Sequence, residues 1–392
     1  MIKFGKPLAL VAAVLTIASC GGSSKSNSNS PANNSQTITV SAGPAGNYAN
    51  GVFTSVSVCV AGSSNCQTVN GVLVDTGSFG LRVLASALGP LNGSLAQQKD
   101  KSGNSIVECA QFVASVLWGP VKTADVGMAG EKASSIPIQV IDATTVPIAA
   151  GCKAMGPSEE DLASLGANGI LGIGFFIQDC GGSCAASGSG NPGFYYACTG
   201  SSCQVTTVST ALQVQNPVAH FAQDANGVII SLPSTSTSTA NLSGTLIFGI
   251  GTEGNNAIGS AQTLHANSSG NLKTSFKNQT YTGFIDSGSN AYFFLDSSTT
   301  GMPDCPSPES GFYCPTSPTN FSASNSDGKN SNTVNFTIGN ASQLFSVSAN
   351  FVFPTLGGPN PSTFDWGLPF FFGRKVFVGF EPPAGSGPFW AY

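Results

Sequence analysis

Two short acidic motifs carry the residue types in this chain that are best suited to acid–base chemistry. Each consists of an aspartate, a hydroxyl residue, a glycine and a second hydroxyl residue: Asp75, Thr76, Gly77 and Ser78 in the first half, and Asp286, Ser287, Gly288 and Ser289 in the second. Two carboxyls held together in a cleft cannot both ionise, so they share one proton. Such a pair supplies an acid and a base from one residue type.

The sequence before each motif predicts the element that positions it. Residues 72–74 are apolar and precede Asp75, and residues 284–285 are apolar and precede Asp286. An apolar run that ends in an acid, a hydroxyl residue and a glycine predicts a buried strand that breaks into a tight turn. Each aspartate is therefore expected where a core strand ends.

The two motifs resemble the paired turns of the pepsin-like aspartic peptidases, in which each of two lobes contributes one turn. Residues 168–174 and 366–371 resemble the segments that cross behind the turns in that family, and residues 244–249 resemble the strand that opens its second lobe. The resemblance spans roughly residues 52–380. It implies an all-β, bilobal fold with the active-site cleft between two β-barrel-like lobes.

This resemblance also assigns a role to each residue of the turns. The expected roles are catalytic acids (Asp75 and Asp286), residues that brace one turn against the other (Thr76 and Ser287), residues that orient the carboxyls (Ser78 and Ser289), and glycines that let the backbone approach the acids (Gly77 and Gly288). The implied reaction is hydrolysis of a peptide bond by a water activated between the two carboxyls. The expected partner is a peptide or protein substrate, and no cofactor or metal is needed.

The chain departs from the family in two places. Arg82 stands where the family has a tryptophan, and residues 108–115 lack the tyrosine and glycine-rich tip of the family's flap hairpin. Phe112 or Trp118 is the expected apolar replacement. A poorer flap excludes water less well. The alternative function is therefore a catalytically inactive pepsin-like protein that binds a polypeptide or a glycan.

Composition agrees with an all-β protein and excludes several functions. Short apolar runs alternate with turn residues, and charged residues make up only 8% of the chain. No basic cluster suggests nucleic-acid binding. The two histidines, His220 and His265, lie in no recognisable nucleophile motif, which disfavours serine or cysteine catalysis.

The amino terminus predicts export and lipid attachment. Two lysines precede an apolar stretch at residues 8–17 that is short for a membrane span, so residues 1–19 are interpreted as a signal peptide. Residues 17–20 resemble a bacterial lipobox, which implies lipidation of Cys20, and Gly21 favours the outer membrane. The expected location is the bacterial cell envelope, with membrane contact only through the lipid. The expected oligomeric state is a monomer.

The rest of the chain divides into a tether and two lobes. Residues 20–36 are rich in Gly, Ser and Asn and predict a flexible tether. The first lobe is assigned to residues 37–233 and the second to residues 234–392, which begins with a Ser/Thr-rich connection. Residues 178–203 form a Gly- and Cys-rich insertion, read either as a specificity loop at the cleft rim or as a decoration.

Ten cysteines remain after Cys20, an even number that suggests disulfides in an exported protein. Spacing suggests the pairs Cys59–Cys66, Cys198–Cys203 and Cys305–Cys314, with Cys180–Cys184 and Cys109–Cys152 completing the set. The spacing of Cys180, Cys184, Cys198 and Cys203 also permits a four-thiolate zinc site.

Overall fold

The computed structural model describes residues 34–392. The predicted signal peptide, Cys20 and residues 20–33 of the predicted tether lie outside the described residues. The first half of the described chain folds into twelve strands: β1 (Ser35–Ser41), β2 (Gly51–Val60), β3 (Cys66–Asp75), β4 (Phe79–Leu84), β5 (Ala96–Gln97), β6 (Ser105–Gln111), β7 (Val116–Met128), β8 (Glu131–Ile141), β9 (Gly169–Ile173), β10 (Tyr195–Thr199), β11 (Ser202–Val205) and β12 (Gly227–Ser231).

Eleven further strands follow in the second half: β13 (Leu242–Phe248), β14 (Thr263–His265), β15 (Leu272–Phe276), β16 (Gln279–Ile285), β17 (Tyr292–Leu295), β18 (Thr319–Ser326), β19 (Ser331–Ile338), β20 (Gly357–Gly358), β21 (Asn360–Trp366), β22 (Lys375–Gly379) and β23 (Phe389–Ala391). Most are short and separated by turn residues, as the rhythm of apolar runs predicts.

The helices of the described chain are short, with three to six residues each. The α-helices are α1 (Ala85–Leu88), α2 (Ala150–Lys153), α3 (Leu162–Leu165), α4 (Gly182–Ala185), α5 (Ser297–Thr300) and α6 (Ala341–Phe345). The 3₁₀ helices are Gly89–Ser94, Thr210–Leu212, Pro217–His220 and Leu368–Phe371. Within residues 34–392, no helix has the length and hydropathy that a membrane crossing requires.

The strands form one sheet of 16 strands and one of seven. In the large sheet β7 pairs with both β8 and β2, which closes strands β2, β3, β9, β4, β8 and β7 into a barrel-like ring. The smaller sheet has the order β19-β18-β15-β16-β21-β17-β20 and carries the second acidic motif. The predicted fold class, all-β with two barrel-like lobes, is confirmed.

One part of the large sheet joins the two halves of the chain. Strand β1 pairs with β2 on one side and with β13 on the other, and β12 pairs with β13 and β22. Strands from both sides of the predicted boundary at residue 234 therefore share one sheet. The first acidic motif follows β3 of this large sheet, whereas the second follows β16 of the smaller sheet.

The tether prediction is wrong at its end. Ser35 and Gln36, which it included, already pair with Ile247 and Leu246 in the β1–β13 ladder. Their polar composition resembles a linker, but the pairing uses backbone N–H and C=O groups that every residue except proline carries. Composition therefore could not reveal that the strand begins two residues earlier.

The ten remaining cysteines form five disulfides, and these are the five pairs expected from the sequence: Cys59–Cys66, Cys109–Cys152, Cys180–Cys184, Cys198–Cys203 and Cys305–Cys314. The four cysteines of the zinc alternative are thus joined in two bridges, and that alternative is wrong. Cys109 lies on β6, so its bridge fastens this strand to α2.

Candidate active site

Both catalytic candidates lie at the end of a central strand. Strand β3 ends at Asp75, and β16 ends immediately before Asp286. Strand β9 runs parallel to β3 and places Gly172 opposite Asp75. Strand β21 runs parallel to β16, and the N–H of Asp286 donates to the carbonyl of Trp366 at 3.1 Å. The two turns are therefore held by the same local arrangement of a strand and a parallel crossing strand.

The second crossing segment differs from its prediction. Residues 366–371 were expected to cross behind the turn, but the crossing strand is β21, which ends at Trp366. Residues Leu368–Phe371 form a 3₁₀ helix instead. Pro369 has no N–H to donate to a ladder and favours the start of a helix, which explains why the strand does not continue.

The carboxyls of Asp75 and Asp286 line one cavity of about 260 Å³ and lie within hydrogen-bonding reach of each other. Each accepts the same two hydrogen bonds from its own turn. The backbone N–H groups of Gly77 and Gly288 each donate to Oδ1 of their own aspartate at 2.8 Å. The serine three residues after each acid donates to its Oδ2, at 2.5 Å in the first turn and 2.9 Å in the second.

The two glycines allow each turn to approach the opposite acid. A Cβ atom added to Gly77 would lie 2.5 to 2.7 Å from the carboxyl atoms of Asp286. A Cβ added to Gly288 would lie 2.6 Å from Oδ1 of Asp75. Since real Cβ atoms do not come this close, any side chain at either position would displace the opposite carboxyl.

Thr76 and Ser287 join the turns through four buried hydrogen bonds. The hydroxyl of each residue accepts from the backbone N–H of the other, at 3.0 and 3.1 Å. The Thr76 hydroxyl donates to the carbonyl of Ile285 at 3.1 Å, and the Ser287 hydroxyl donates to the carbonyl of Val74 at 2.7 Å. The arrangement is reciprocal and fixes the distance between the two acids.

The electrostatics of the pair favour one shared proton. Asp75 is only 6% exposed. Burial and the facing Asp286 carboxyl raise the pKa of Asp75 well above its ordinary value, although hydrogen bonds from Ser78 and Gly77 act in the opposite direction. These effects favour one proton on the pair at a pH where a free aspartate is already ionised.

A hairpin formed by β6 and β7 covers this cavity. Ala110, Gln111, Phe112 and Val113 at its tip line the same space as the two acids. Phe112 is thus in a position to provide apolar cover, whereas the suggestion that Trp118 does so is wrong. Trp118 is fully buried on β7, where its indole N–H donates to the carbonyl of Val146.

A buried ionic cluster fastens the base of this hairpin. Arg82 on β4 donates to Glu108 on β6 at 2.6 Å and to Asp179 at 3.1 Å, and all three side chains are at most 4% exposed. The Tyr195 hydroxyl donates to the other oxygen of Asp179 at 2.7 Å. Burial and the adjacent Glu108 raise the pKa of Asp179 well above its ordinary value. A proton held on Asp179 leaves the cluster without net charge.

Comparison with known proteins places the chain in a family and supports its fold. The family model described as "Protein of unknown function (DUF3443)" matches residues 30–392. The chain belongs to this family. None of the curated proteins matches the sequence. Among solved structures, the fold is similar to that of an aspartic proteinase from Irpex lacteus, with 14% identity, a TM-score of 0.51, and coverage of 91% of this chain and 96% of that one.

The insertion at residues 178–203 contributes to the site of this DUF3443 member. Its strand β10 pairs with β6 of the covering hairpin, and β11 extends the same sheet. Asp179 and Phe194 from the insertion line the cavity that contains the two acids. Part of the insertion therefore lies at the cleft, as the specificity-loop reading expected.

Sequence reasoning missed three side chains near the dyad. They are Asp179, Asp365 on β21 and Tyr48, whose pKa is raised by burial and by the charges of Asp75 and Asp286. Asp365 carried a signal that went unused, because an acid within the apolar stretch at residues 364–371 requires a partner or a role. Tyr48 and Asp179 lie in loops, where no periodicity indicates burial.

Proposed function

We propose that this DUF3443 protein is an aspartic endopeptidase. The observation that carries the proposal is that Asp75 and Asp286, 211 positions apart in the sequence, line one cavity with matched hydrogen-bond donors. A structural turn would need neither the second acid nor the reciprocal bracing by Thr76 and Ser287. The fold likeness to the aspartic proteinase from Irpex lacteus agrees with this function.

The proposed reaction uses the two carboxyls in different protonation states. Asp75 holds the shared proton, and Asp286 acts as the general base toward a water placed between them. As the water attacks the peptide carbonyl carbon, a proton of the water passes to Asp286. At the same time, Asp75 gives its proton to the carbonyl oxygen. The tetrahedral intermediate then loses the amine, which takes the proton from Asp286, and one hydroxyl of the intermediate returns its proton to Asp75 as it becomes the carbonyl of the new carboxyl group.

The proposed substrate is a peptide or an unfolded protein segment bound under the hairpin. Phe79, Phe112 and Phe194 line the cavity beside the acids. Aromatic walls favour apolar side chains next to the bond that is cut, because their burial removes apolar surface from water. Tightening of the hairpin over the substrate would exclude water during the reaction.

We also propose that the protein works in the bacterial cell envelope, attached to a membrane by lipid on Cys20. This proposal rests on the sequence alone, since residues 1–33 lie outside the described structure. A monomer fits a site in which both acids come from one chain.

The test is cleavage of a denatured, unstructured protein by the chain from residue 20 onward, carrying Cys20→Ala, between pH 3 and pH 7. Asp75→Asn and Asp286→Asn should each lower the rate at least about 10³-fold, because each removes one partner of the proton exchange. Asp100→Asn, at a half-buried position that does not line the cavity, is the matched control and should leave the rate unchanged.

The alternative of an inactive binding protein gives a different result in the same experiment. In that case the unmodified chain and both dyad variants are equally inert over the whole pH range, while the chain still binds the denatured protein or a glycan. That outcome would end the endopeptidase proposal.

A further inference from the structure

A third acid, Asp365, reaches the dyad through a serine. Asp365 lies on β21 and is 5% exposed. Its Oδ2 lies 2.6 Å from Oγ of Ser289, and the same Oγ lies 2.9 Å from Oδ2 of Asp286. Its other oxygen, Oδ1, is buried without a hydrogen-bond partner. One hydroxyl therefore bridges two carboxyls.

The number of available protons determines which of these groups donates each hydrogen bond. A serine hydroxyl has a single proton, so it satisfies one carboxylate, and the other contact needs a proton on the carboxyl itself. An ionised Asp365 would bury a charge with one oxygen unpaired, which is costly. Burial and the Asp286 charge raise the pKa of Asp365 well above its ordinary value. Asp365 is therefore the carboxyl that is protonated and donates to Ser289.

The groups around Asp365 do not offer it a positive charge. The ionisable side chains that act on it are Asp286 and, more weakly, Asp75, and both are acids. Its register partners on β16 and β17 are Phe284 and Phe293. None of the salt bridges found among residues 34–392 includes Asp365. Its neutral form is the one that these surroundings favour.

The first lobe shows that the fold does not require an acid here. Strand β9 places Ile170 opposite Leu73, two positions before Asp75. Strand β21 places Asp365 opposite Phe284, two positions before Asp286. The two positions correspond, and Ile170 is buried among apolar side chains of the first lobe. The packing of the fold therefore does not explain why an acid occupies this position in the second lobe.

We infer that Asp365 is a positioning residue of the dyad: as a neutral acid it donates to Ser289, which donates in turn to Asp286 and keeps Asp286 the ionised member of the pair. Chains of hydrogen bonds polarise each other, so Ser289 is a stronger donor with Asp365 behind it than it would be alone, whereas Ser78 has no acid behind it. This difference makes the two otherwise matched acids unequal. The catalytic consequence rests on the proposed function.

The first test needs no activity. In the full chain labelled with ¹³C at aspartate carboxyls, the Asp365 resonance, identified by its loss in Asp365→Asn or Asp365→Ile, should titrate well above the ordinary range of an aspartate. The ratio of the unfolding equilibrium constant of the unmodified chain to that of Asp365→Asn should rise about tenfold per pH unit above about pH 4, because the unfolded chain releases the Asp365 proton there. The rise should stop at the pH where Asp365 ionises in the folded state. An Asp365 resonance that titrates near pH 4, with a pH-independent ratio of unfolding constants, would overturn the inference.

The second test is the pH dependence of cleavage. Asp365→Ile, which copies the residue of the first lobe, should move the acid limb of kcat/KM up by about one pH unit, since Asp286 loses a polarised donor. Asp365→Asn keeps a neutral hydrogen-bond donor beside Ser289 and should shift the acid limb of kcat/KM by less. A lower rate with an unchanged profile would indicate packing alone and contradict the inference. If the unmodified chain cleaves nothing, the proposed function fails, while the resonance and unfolding tests still decide the role of Asp365.

Discussion

Single residues set the distance between the two acids in this site. Thr76 and Ser287 exchange hydrogen bonds across the junction of the lobes, and both are at most 4% exposed. Because each hydroxyl both accepts and donates, neither can be replaced by an apolar isostere without leaving two buried backbone groups unpaired. The hydroxyls are thus needed for stability as well as for alignment.

We predict that Thr76→Val lowers the free energy of unfolding by about 2 kcal/mol, because the N–H of Ser287 and the carbonyl of Ile285 lose their partner. Thr76→Ser keeps the hydroxyl and is the matched control, with a loss below about 1 kcal/mol. Urea unfolding monitored by intrinsic fluorescence measures both. Equal stability of the two variants would contradict the bracing role.

Among the elements, the hairpin over the cleft depends on its buried base. Strand β6 is held to the first lobe by the Arg82–Glu108 pair and the Cys109–Cys152 bridge, and β10 of the insertion pairs along its other edge. The tip, in contrast, reaches solvent at Val113. A firm base and a free tip suit a cover that admits substrate and then closes.

We predict that Arg82→Met lowers the free energy of unfolding by about 3 kcal/mol or more, since it leaves the buried Glu108 carboxylate unpaired. Adding Glu108→Gln removes that charge and should restore part of the loss. A double-mutant cycle by denaturant unfolding measures the coupling. If the double variant is destabilised by the sum of the two single losses, the pair does not hold the hairpin.

At the level of the whole molecule, three buried acids couple stability to pH. The pKa values of Asp75, Asp179 and Asp365 are all raised by burial and by a neighbouring acid. The folded state therefore holds protons that the unfolded chain releases near pH 4. Their contribution to stability is fully present below that pH and is lost as the pH rises toward the pKa values that these acids have in the folded state.

We predict that the free energy of unfolding is greatest near pH 4 to 5 and falls at higher pH, by about 1.4 kcal/mol per pH unit for each proton retained. Asp125 and Asp142 have pKa values lowered by hydrogen bonds that outweigh burial, so their contribution is lost on the acid side and sets the lower limit. Urea midpoints at pH 4, 6 and 8 measure the trend, and Asp179→Asn should reduce the slope. Stability that climbs steadily from pH 4 to pH 8 would contradict this prediction.

Local sequence patterns were sufficient for the elements and for part of the covalent framework. Each apolar run before Asp75 and Asp286 became a strand ending at the expected position, because side-chain burial and turn chemistry act over a few residues. Three of the five disulfides followed from the spacing of neighbouring cysteines, and the other two were the pairs that completed the set.

Only the tertiary structure decided how distant residues meet. The Arg82, Glu108 and Asp179 cluster joins three separate segments, and Asp365 becomes the neighbour of Ser289 through the parallel pairing of β21 with β16. Burial, charge and proton sharing depend on distances in space that no sequence period encodes. The sequence by itself therefore determined where each acid ends its strand, whereas the packing of the strands determined which groups share its proton.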